Sequence, residues 1–471
     1  MSTCHAQSVK ENPIVSGPIL PVTIKLTIPV LIGHLLNLLY TAVDTLFISM
    51  LDRDSTAIIS GIGLVLPVYM LVIAFGTGLF AGISSLLARS IGKQHLGETG
   101  RTISSGMFLA ISLAVFYLVT SVISGDDLIH LLAGDQISQE AVNYGKQYFN
   151  FLLPGMFLLL LFFALAGIAQ GAGLVKYFAM AMMLSTLCNI LLDPLLIFGF
   201  QLGVKGAALA SSISIALSVV FLYSRLRQER SMLIHKIRLS LVCKRHLGEI
   251  LGIAVPQILG LAVISMGVMS LNYIVGSISE TNMNAWVLVS RMDEFVLIFG
   301  YAIGNATLTQ VGQNFGSNDF QRVTSIYNTN ILFTLTVGIG IVFLYNLAAY
   351  PLFSLFTTVN TVVQESVFQV RVISFTFLGV LVLLVSNAMF QATGKAIPGL
   401  ILHVIRMVFF IIPLSYLAVI HLKSGIVSLF IIVGAVNILT LVIAHVWSKK
   451  YLKQLVTRNS EKTDDGIFKV I

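Results

Sequence analysis

The sequence predicts an all-α polytopic membrane protein of twelve transmembrane helices in two pseudo-symmetric six-helix lobes. Three observations carry that prediction. Mean hydropathy is +0.93, with 56% hydrophobic and 10% charged residues in 471, whereas a soluble domain is about one quarter charged. Twelve apolar stretches can each span a hydrocarbon core about 30 Å thick. The chain also matches itself at an offset of about 225 residues.

The stretches lie near 22–49, 56–83, 103–124, 147–169, 177–199 and 206–226, then 250–275, 284–311, 328–350, 367–391, 399–420 and 425–447. Backbone groups inside lipid must bond within their own segment, so these are helices. The self-match pairs Ile28-Pro29-Val30 with Val255-Pro256-Gln257, and Ser84-Ser85 through Gly92 with Leu308-Thr309 through Gly316. It also pairs Gln170-Gly171-Ala172-Gly173 with Gln391-Ala392-Thr393-Gly394, and Pro194-Leu195 with Pro413-Leu414. Paired halves usually hold a binding site between them, near the bilayer midplane.

Five segments follow: an amino-terminal stretch 1–17, a first lobe 18–226, a linker 227–246, a second lobe 247–450 and a tail 451–471. The opening residues hold Lys10, Glu11, Asn12 and Pro13 without an apolar core, so no removable signal peptide is expected. The linker combines basic residues with Leu233, Ile234, Ile237 and Leu239, which suits either a short helix on the membrane surface or a solvated connector. The tail is polar after Lys453 and reads as unstructured.

Charge reports orientation. Arg89, Lys93 and Arg101 follow the second segment, seven basic residues lie between Arg225 and Arg245, and Lys449, Lys450 and Lys453 follow the twelfth. Intervening loops carry Asp52, Arg53 and Asp54, then Asp126, Asp127 and Asp135. The positive-inside rule puts both termini and the linker in the cytoplasm, with the chain crossing the plasma membrane, or the inner membrane of a bacterium. The +8 net charge is thereby accounted for without nucleic acid. Cys4, Cys188 and Cys243 are odd in number and widely spaced, giving neither a disulfide framework nor a zinc site. No phosphate loop, HExxH or GxSxG occurs, so neither ATP-driven pumping by this chain nor an enzyme is expected, and no cofactor is called for.

Polar residues inside the membrane are expensive, at about 3 kcal/mol or more for a carboxylate, and each is a functional candidate. The first segment carries His34, Asn37, Thr41 and Asp44 along one stripe, with Tyr40 one turn before Asp44. The fifth carries Ser185, Asn189 and Asp193 at successive i+4 steps. Neither stripe can face lipid unsatisfied, so the two should face each other or a wet cavity. Two carboxylates sharing a dehydrated site cannot both ionise cheaply. With Asn189 and a hydroxyl such as Ser211, they offer a proton acceptor or a hard-oxygen site for Na⁺, the metal ligands being Asp44, Asn189 and Asp193. A polar clamp between the two helices is the competing structural reading.

The second half lacks these acids: Leu271 or Asn272 stands opposite Asp44, and Ile412 opposite Asp193. Its own charges, Arg291, Asp293 and Glu294 in the eighth segment and Arg406 in the eleventh, form a second possible polar site, with Arg291 and Glu294 spaced to pair. Pro29 lies within the first segment and Pro256 within the seventh, where each removes a backbone bond; Pro29 is a candidate hinge.

The chain resembles the multidrug and toxic compound extrusion (MATE) transporters over nearly its whole length. The likeness rests on Pro29 through Tyr40-Thr41-Ala42-Val43-Asp44, on Asn189 through Asp193-Pro194 to Gly199, and on Gly203-Val204-Lys205-Gly206-Ala207-Ala208-Leu209-Ala210. It extends through Val311-Gly312-Gln313-Asn314-Phe315-Gly316 and Phe390-Gln391-Ala392-Thr393-Gly394-Lys395. The resemblance implies a monomeric exporter with a central V-shaped cavity, exchanging H⁺ or Na⁺ for amphipathic, often cationic, small molecules. It maps a cation-coupling site onto Asp44, Asn189 and Asp193, with Tyr40 nearby and Ser211 where many relatives have threonine. The acids that NorM-type members carry in the seventh and tenth helices are absent, making the chain more like the DinF-type branch. The rival within the wider superfamily is a flippase for lipid-linked oligosaccharide, which would line its cavity with basic residues.

Overall fold

In a computed structural model the protein is all-helical; residues 12–51, 57–134, 137–229 and 237–468 are described. After a short turn at Pro13–Ser16 come α1 (Ile19–Ser49), α2 (Ala57–Gly92), α3 (Leu96–Ala133), α4 (Gln139–Gly171), α5 (Val175–Pro194) and α6 (Val204–Gln228). Then follow α7 (Lys244–Gly276), α8 (Glu280–Gly316), α9 (Phe320–Ser354), α10 (Asn360–Ile373, resumed at Phe377–Ala392), α11 (Ile397–Val404, with π-helical stretches to His421) and α12 (Gly425–Phe468). Among the described residues eleven helices are long and apolar enough to cross a membrane. The twelfth of the set, α8, has the length but carries Arg291, Asp293 and Glu294 within its span.

The helices divide into two compact units, and the divisions on α1 and α7 fall beside the repeated prolines. One unit contains Pro29–Ile91 and His95–Ala254; the other contains the first turns of α1 up to Ile28 together with Val255 onward. Each unit's first helix therefore begins in the other unit. In the second unit the opening turns are held by side chains of α8 and α9. Asn314 donates to the Ile14 carbonyl at 3.0 Å, Gln310 to that of Ile19 at 3.2 Å, and Thr23 to Asn330 at 2.7 Å. The Arg322 guanidinium donates to the Gly17 carbonyl.

In the first unit, glycine sets helix proximity, as expected where lipid supplies no hydrophobic drive between helices. A β-carbon on Gly61 would sit 2.3 Å from the Ala141 carbonyl, one on Gly145 2.8 Å from that of Gly61, and one on Gly171 2.6 Å from that of Ser84. Here α2 meets α4 backbone to backbone. Gly155 admits Ser212 of α6 in the same way, since a β-carbon there would lie 2.7 Å from its hydroxyl.

The possible surface helix of the linker falls partly on residues 230–236, outside the described residues. Its described portion is a single 3₁₀ turn, Leu239–Leu241, flanked by backbone bonds from Arg238 and Cys243 to the Ser104 and Ser105 hydroxyls of α3. The tail departs from the expectation of unstructured chain: α12 continues to Phe468. No glycine or proline interrupts residues 435–465, so a helix begun in the membrane propagates without renucleation.

Gly61→Leu is expected to lower the stability of the purified protein by about 1–3 kcal/mol, the size of an overpacking penalty, whereas Gly63→Leu, with open space around it, should be near neutral. Thermal unfolding in detergent distinguishes the two.

Candidate functional site

The two polar stripes meet inside the first unit. Periodicity puts Tyr40 and Asp44 on one side of α1 and Asn189 and Asp193 on one side of α5, and α6 supplies the link. The Tyr40 hydroxyl and Ser211 Oγ are 3.1 Å apart, and Asn189 Nδ2 donates to Ser211 Oγ at 3.3 Å and to Asp193 Oδ1 at 3.3 Å. Asn189, Asp193 and Ser211 are buried, while Asp44 is half-buried. Asp44 and Asp193 lie within electrostatic reach of one another.

Beside them is a cavity of about 620 Å³. His34, Asn37, Tyr40 and Asp44 of α1 line it, so the stripe read from the sequence is the wall of a chamber; the Thr41 side chain lies outside the described residues. Ser211 lines it from α6, while Asn189 and Asp193 stand behind the wall, reached through Ser211. Ser185 borders a smaller adjoining space with Asn37 and Thr186. Around the acids the lining is aromatic and sulfur-bearing, including Tyr69, Tyr148, Phe162, Phe163, Met70 and Met182, and none of the lining residues is Lys or Arg.

Three oxygens in this cluster are buried without a hydrogen-bond donor: Asp44 Oδ1, Asn189 Oδ1 and Asp193 Oδ2. Leaving such atoms unsatisfied costs about 1–3 kcal/mol each, more where charge is involved. A proton removes that cost on a carboxylate, and a small hard cation removes it for all three, since oxygens are the ligands such ions take. The donor set therefore fits either. The sequence reading missed Tyr69 of α2 and Tyr148 of α4, both within electrostatic reach of Asp44. A single tyrosine in an apolar helix gives no sign of its direction until its neighbours are known.

The second unit's polar residues are arranged otherwise. Asp293 accepts from the Tyr345 hydroxyl at 3.3 Å. Arg291 and Glu294 are both exposed and make no ion pair with each other, contrary to the spacing-based expectation. Exposed ions gain little from pairing once side-chain entropy is counted. Asn272, one of the two residues that could match Asp44, accepts from Trp286 Nε1 at 2.9 Å and serves packing. Pro29 is distant in sequence from the acids and sits where α1 passes from one compact unit to the other.

A sequence model of the MatE family matches this chain twice, over residues 29–195 and 256–417. The chain is similar to the multidrug export protein MepA of Staphylococcus aureus (strain bovine RF122 / ET3-1), 24% identical over 408 residues that cover 85% of this chain and 87% of that protein. It is 25% identical to MepA of Staphylococcus haemolyticus (strain JCSC1435) over 375 residues, 78% of this chain and 80% of the relative. Among solved structures, a MATE in complex with MaL6 superposes with a TM-score of 0.87 at 23% identity, covering 94% of this chain and 99% of that one. The MATE transporter ClbM in complex with Rb⁺ gives 0.84 at 26% identity, covering 95% and 100%.

Ser211→Ala removes the partner shared by Tyr40 and Asn189 and is expected to destabilise the protein by about 0.5–1.5 kcal/mol per bond lost. Ser211→Thr, which keeps the hydroxyl, should retain most of that stability in the same thermal unfolding measurement.

Proposed function

The chain belongs to the MatE family, and we propose that it is a secondary active multidrug exporter, exchanging amphipathic, often cationic, organic compounds for H⁺ or Na⁺. The observation that carries this reading is the cluster of donor-less buried oxygens on Asp44, Asn189 and Asp193, beside a cavity that is aromatic, methionine-bearing and without Lys or Arg in its lining. An acid-bearing chamber free of Lys and Arg suits cationic or neutral cargo rather than a lipid pyrophosphate. Tyrosine and phenylalanine faces attract organic cations, and flexible methionines adapt to many shapes. The export activity named for the MepA relatives agrees with this cargo. The Rb⁺ held by ClbM, a transporter 26% identical to this chain, supports a monovalent cation as the other ligand.

In this mechanism the cation and the cargo prefer opposite conformations. Entry of H⁺ or Na⁺ satisfies Asp44 and Asp193, with Asn189 and Ser211 as supporting ligands and Tyr40 closing the network. The bend of α1 at Pro29 then changes, the amino-terminal cavity contracts and cargo leaves outward. A ligand shifts such an equilibrium only by its differential affinity for the two states, so cargo and cation need not touch. Coupling lies in the amino-terminal half; the lack of a carboxylate at Pro256–Gly260 in α7 and at Gly394–Ala396 after α10 supports a DinF-like rather than NorM-like arrangement. The protein works as a monomer in the plasma membrane with both termini and the linker cytoplasmic, an orientation supported by the loop charges.

Everted vesicles given a fluorescent organic cation in the medium, with ΔpH and ΔpNa imposed separately, test the reading through uptake into the lumen. Asp44→Asn and Asp193→Asn are each expected to reduce gradient-driven transport by roughly tenfold or more, within the usual range of coupling energies. Transport at the wild-type rate in both variants, with normal folding, would show that the cation is coupled elsewhere.

A further inference from the structure

The second unit buries a cation of its own. Arg406 lies on the π-helical stretch Ile405–Ile411 of α11 and is 9% exposed. Its Nε donates to Asn437 Oδ1 at 3.0 Å, and Asn437 in turn donates to Thr376 Oγ1 at 3.1 Å. None of the ion pairs among the described residues includes Arg406. A guanidinium carries five donors and cannot discard its charge by deprotonating, and a buried charge without a counter-ion is strongly unfavourable. Inside a membrane protein that arrangement marks function.

One turn earlier on α11 is His403, 5% exposed, whose Nδ1 is buried without a hydrogen-bond partner. Arg406 is within electrostatic reach of both His403 and Tyr301. His403 and Tyr301 line a cavity of about 30 Å³ together with Gln257, Asn387 and Gln391, room for one small ion or group. The wall is neutral and hydrogen-bonding: Gln391 Nε2 donates to Gln257 Oε1 at 2.6 Å. Gly260 of α7 faces His403 across the cavity, where a β-carbon would stand at ordinary contact distance, 3.6 Å from His403 Cδ2. The nearest acid along α8, Glu294, lies two turns before Tyr301 and is exposed; it is within electrostatic reach of Tyr301 but forms no ion pair with Arg406.

We propose that this cavity of the carboxy-terminal unit, bounded by His403 and Tyr301 and with Arg406 one turn of α11 beyond His403, binds a small monovalent anion. The anion supplies the counter-charge that the chain itself withholds from Arg406. Two sources share this chemistry, a free halide and the carboxylate of a bound small molecule. The site would make the two halves opposite in sign, with cation binding in the amino-terminal unit and anion binding in the carboxy-terminal one, from one duplicated fold.

Thermal unfolding of the full-length protein in detergent, at constant pH and potassium concentration, provides the test. Potassium chloride and potassium acetate are compared with potassium isethionate, whose anion is too large for the cavity. The wild type should show a saturable rise in midpoint with chloride, acetate or both, as ligand binding to the folded state requires. Chloride alone assigns a free halide, and acetate alone a carboxylate. Arg406→Gln and His403→Ala should lose the response, while Asp44→Asn should keep it. Asn437→Asp is the decisive variant, because it places a carboxylate at the position that now accepts from Nε. It should fold at least as stably as wild type in isethionate and be indifferent to the anion. A wild type whose midpoint does not depend on the anion, or an Asn437→Asp variant that still responds as wild type does, would overturn the proposal.

Discussion

The constraint on which the rest of this structure depends is that buried oxygen acceptors in a membrane protein need a partner, whether a hydrogen-bond donor, a proton or a cation. Asp44, Asn189 and Asp193 each keep an oxygen that no neighbouring group donates to. Water-exposed carboxylates would carry no such tension. Such unmet acceptors are what the proposed coupling to H⁺ or Na⁺ would draw on. Ser211 links three helices, engaging Tyr40 of α1 and Asn189 of α5 from its own place on α6.

The scaffold around that cluster is built for close but adjustable contact. Gly61, Gly145 and Gly171 allow α2 and α4 to touch through their backbones, holding Tyr69 and Tyr148 in the wall opposite α1. The repeated proline has a matching architectural position in both halves, since the two compact units divide at Pro29 and next to Pro256. The turns preceding Pro29 are tied down by Gln310, Asn314 and Asn330 in the second unit. The turns following it carry Tyr40 and Asp44 in the first. Pro29, at the division between the two, has no backbone N–H to give to the helix.

Duplication preserved shape and released chemistry. Asn272 is a partner for Trp286 and Ile412 stands where the first half has Asp193, so the carboxy-terminal half does not repeat the acids of the first. It acquired instead a buried guanidinium joined to Asn437 and Thr376. The same helical frame therefore supports two electrostatic environments of opposite sign.

Much of this was legible in the primary structure, for a physical reason. Bilayer thickness imposes helix length and backbone satisfaction imposes helix type, so twelve apolar runs define twelve helices, and even the polar α8 is recognisable from its length. Periodicity likewise fixes which side of α1 holds Asn37, Tyr40 and Asp44. What periodicity leaves open is the neighbour. It specifies an angle about one axis and says nothing of which helix stands across the gap, so the roles of Tyr69, Tyr148 and Ser211, the absence of an Arg291–Glu294 pair and the surroundings of Arg406 were decided only when the helices packed. The continuation of α12 to Phe468 belongs there too, because composition measures the tendency of a segment alone, whereas a helix already begun extends through residues that would not have started one.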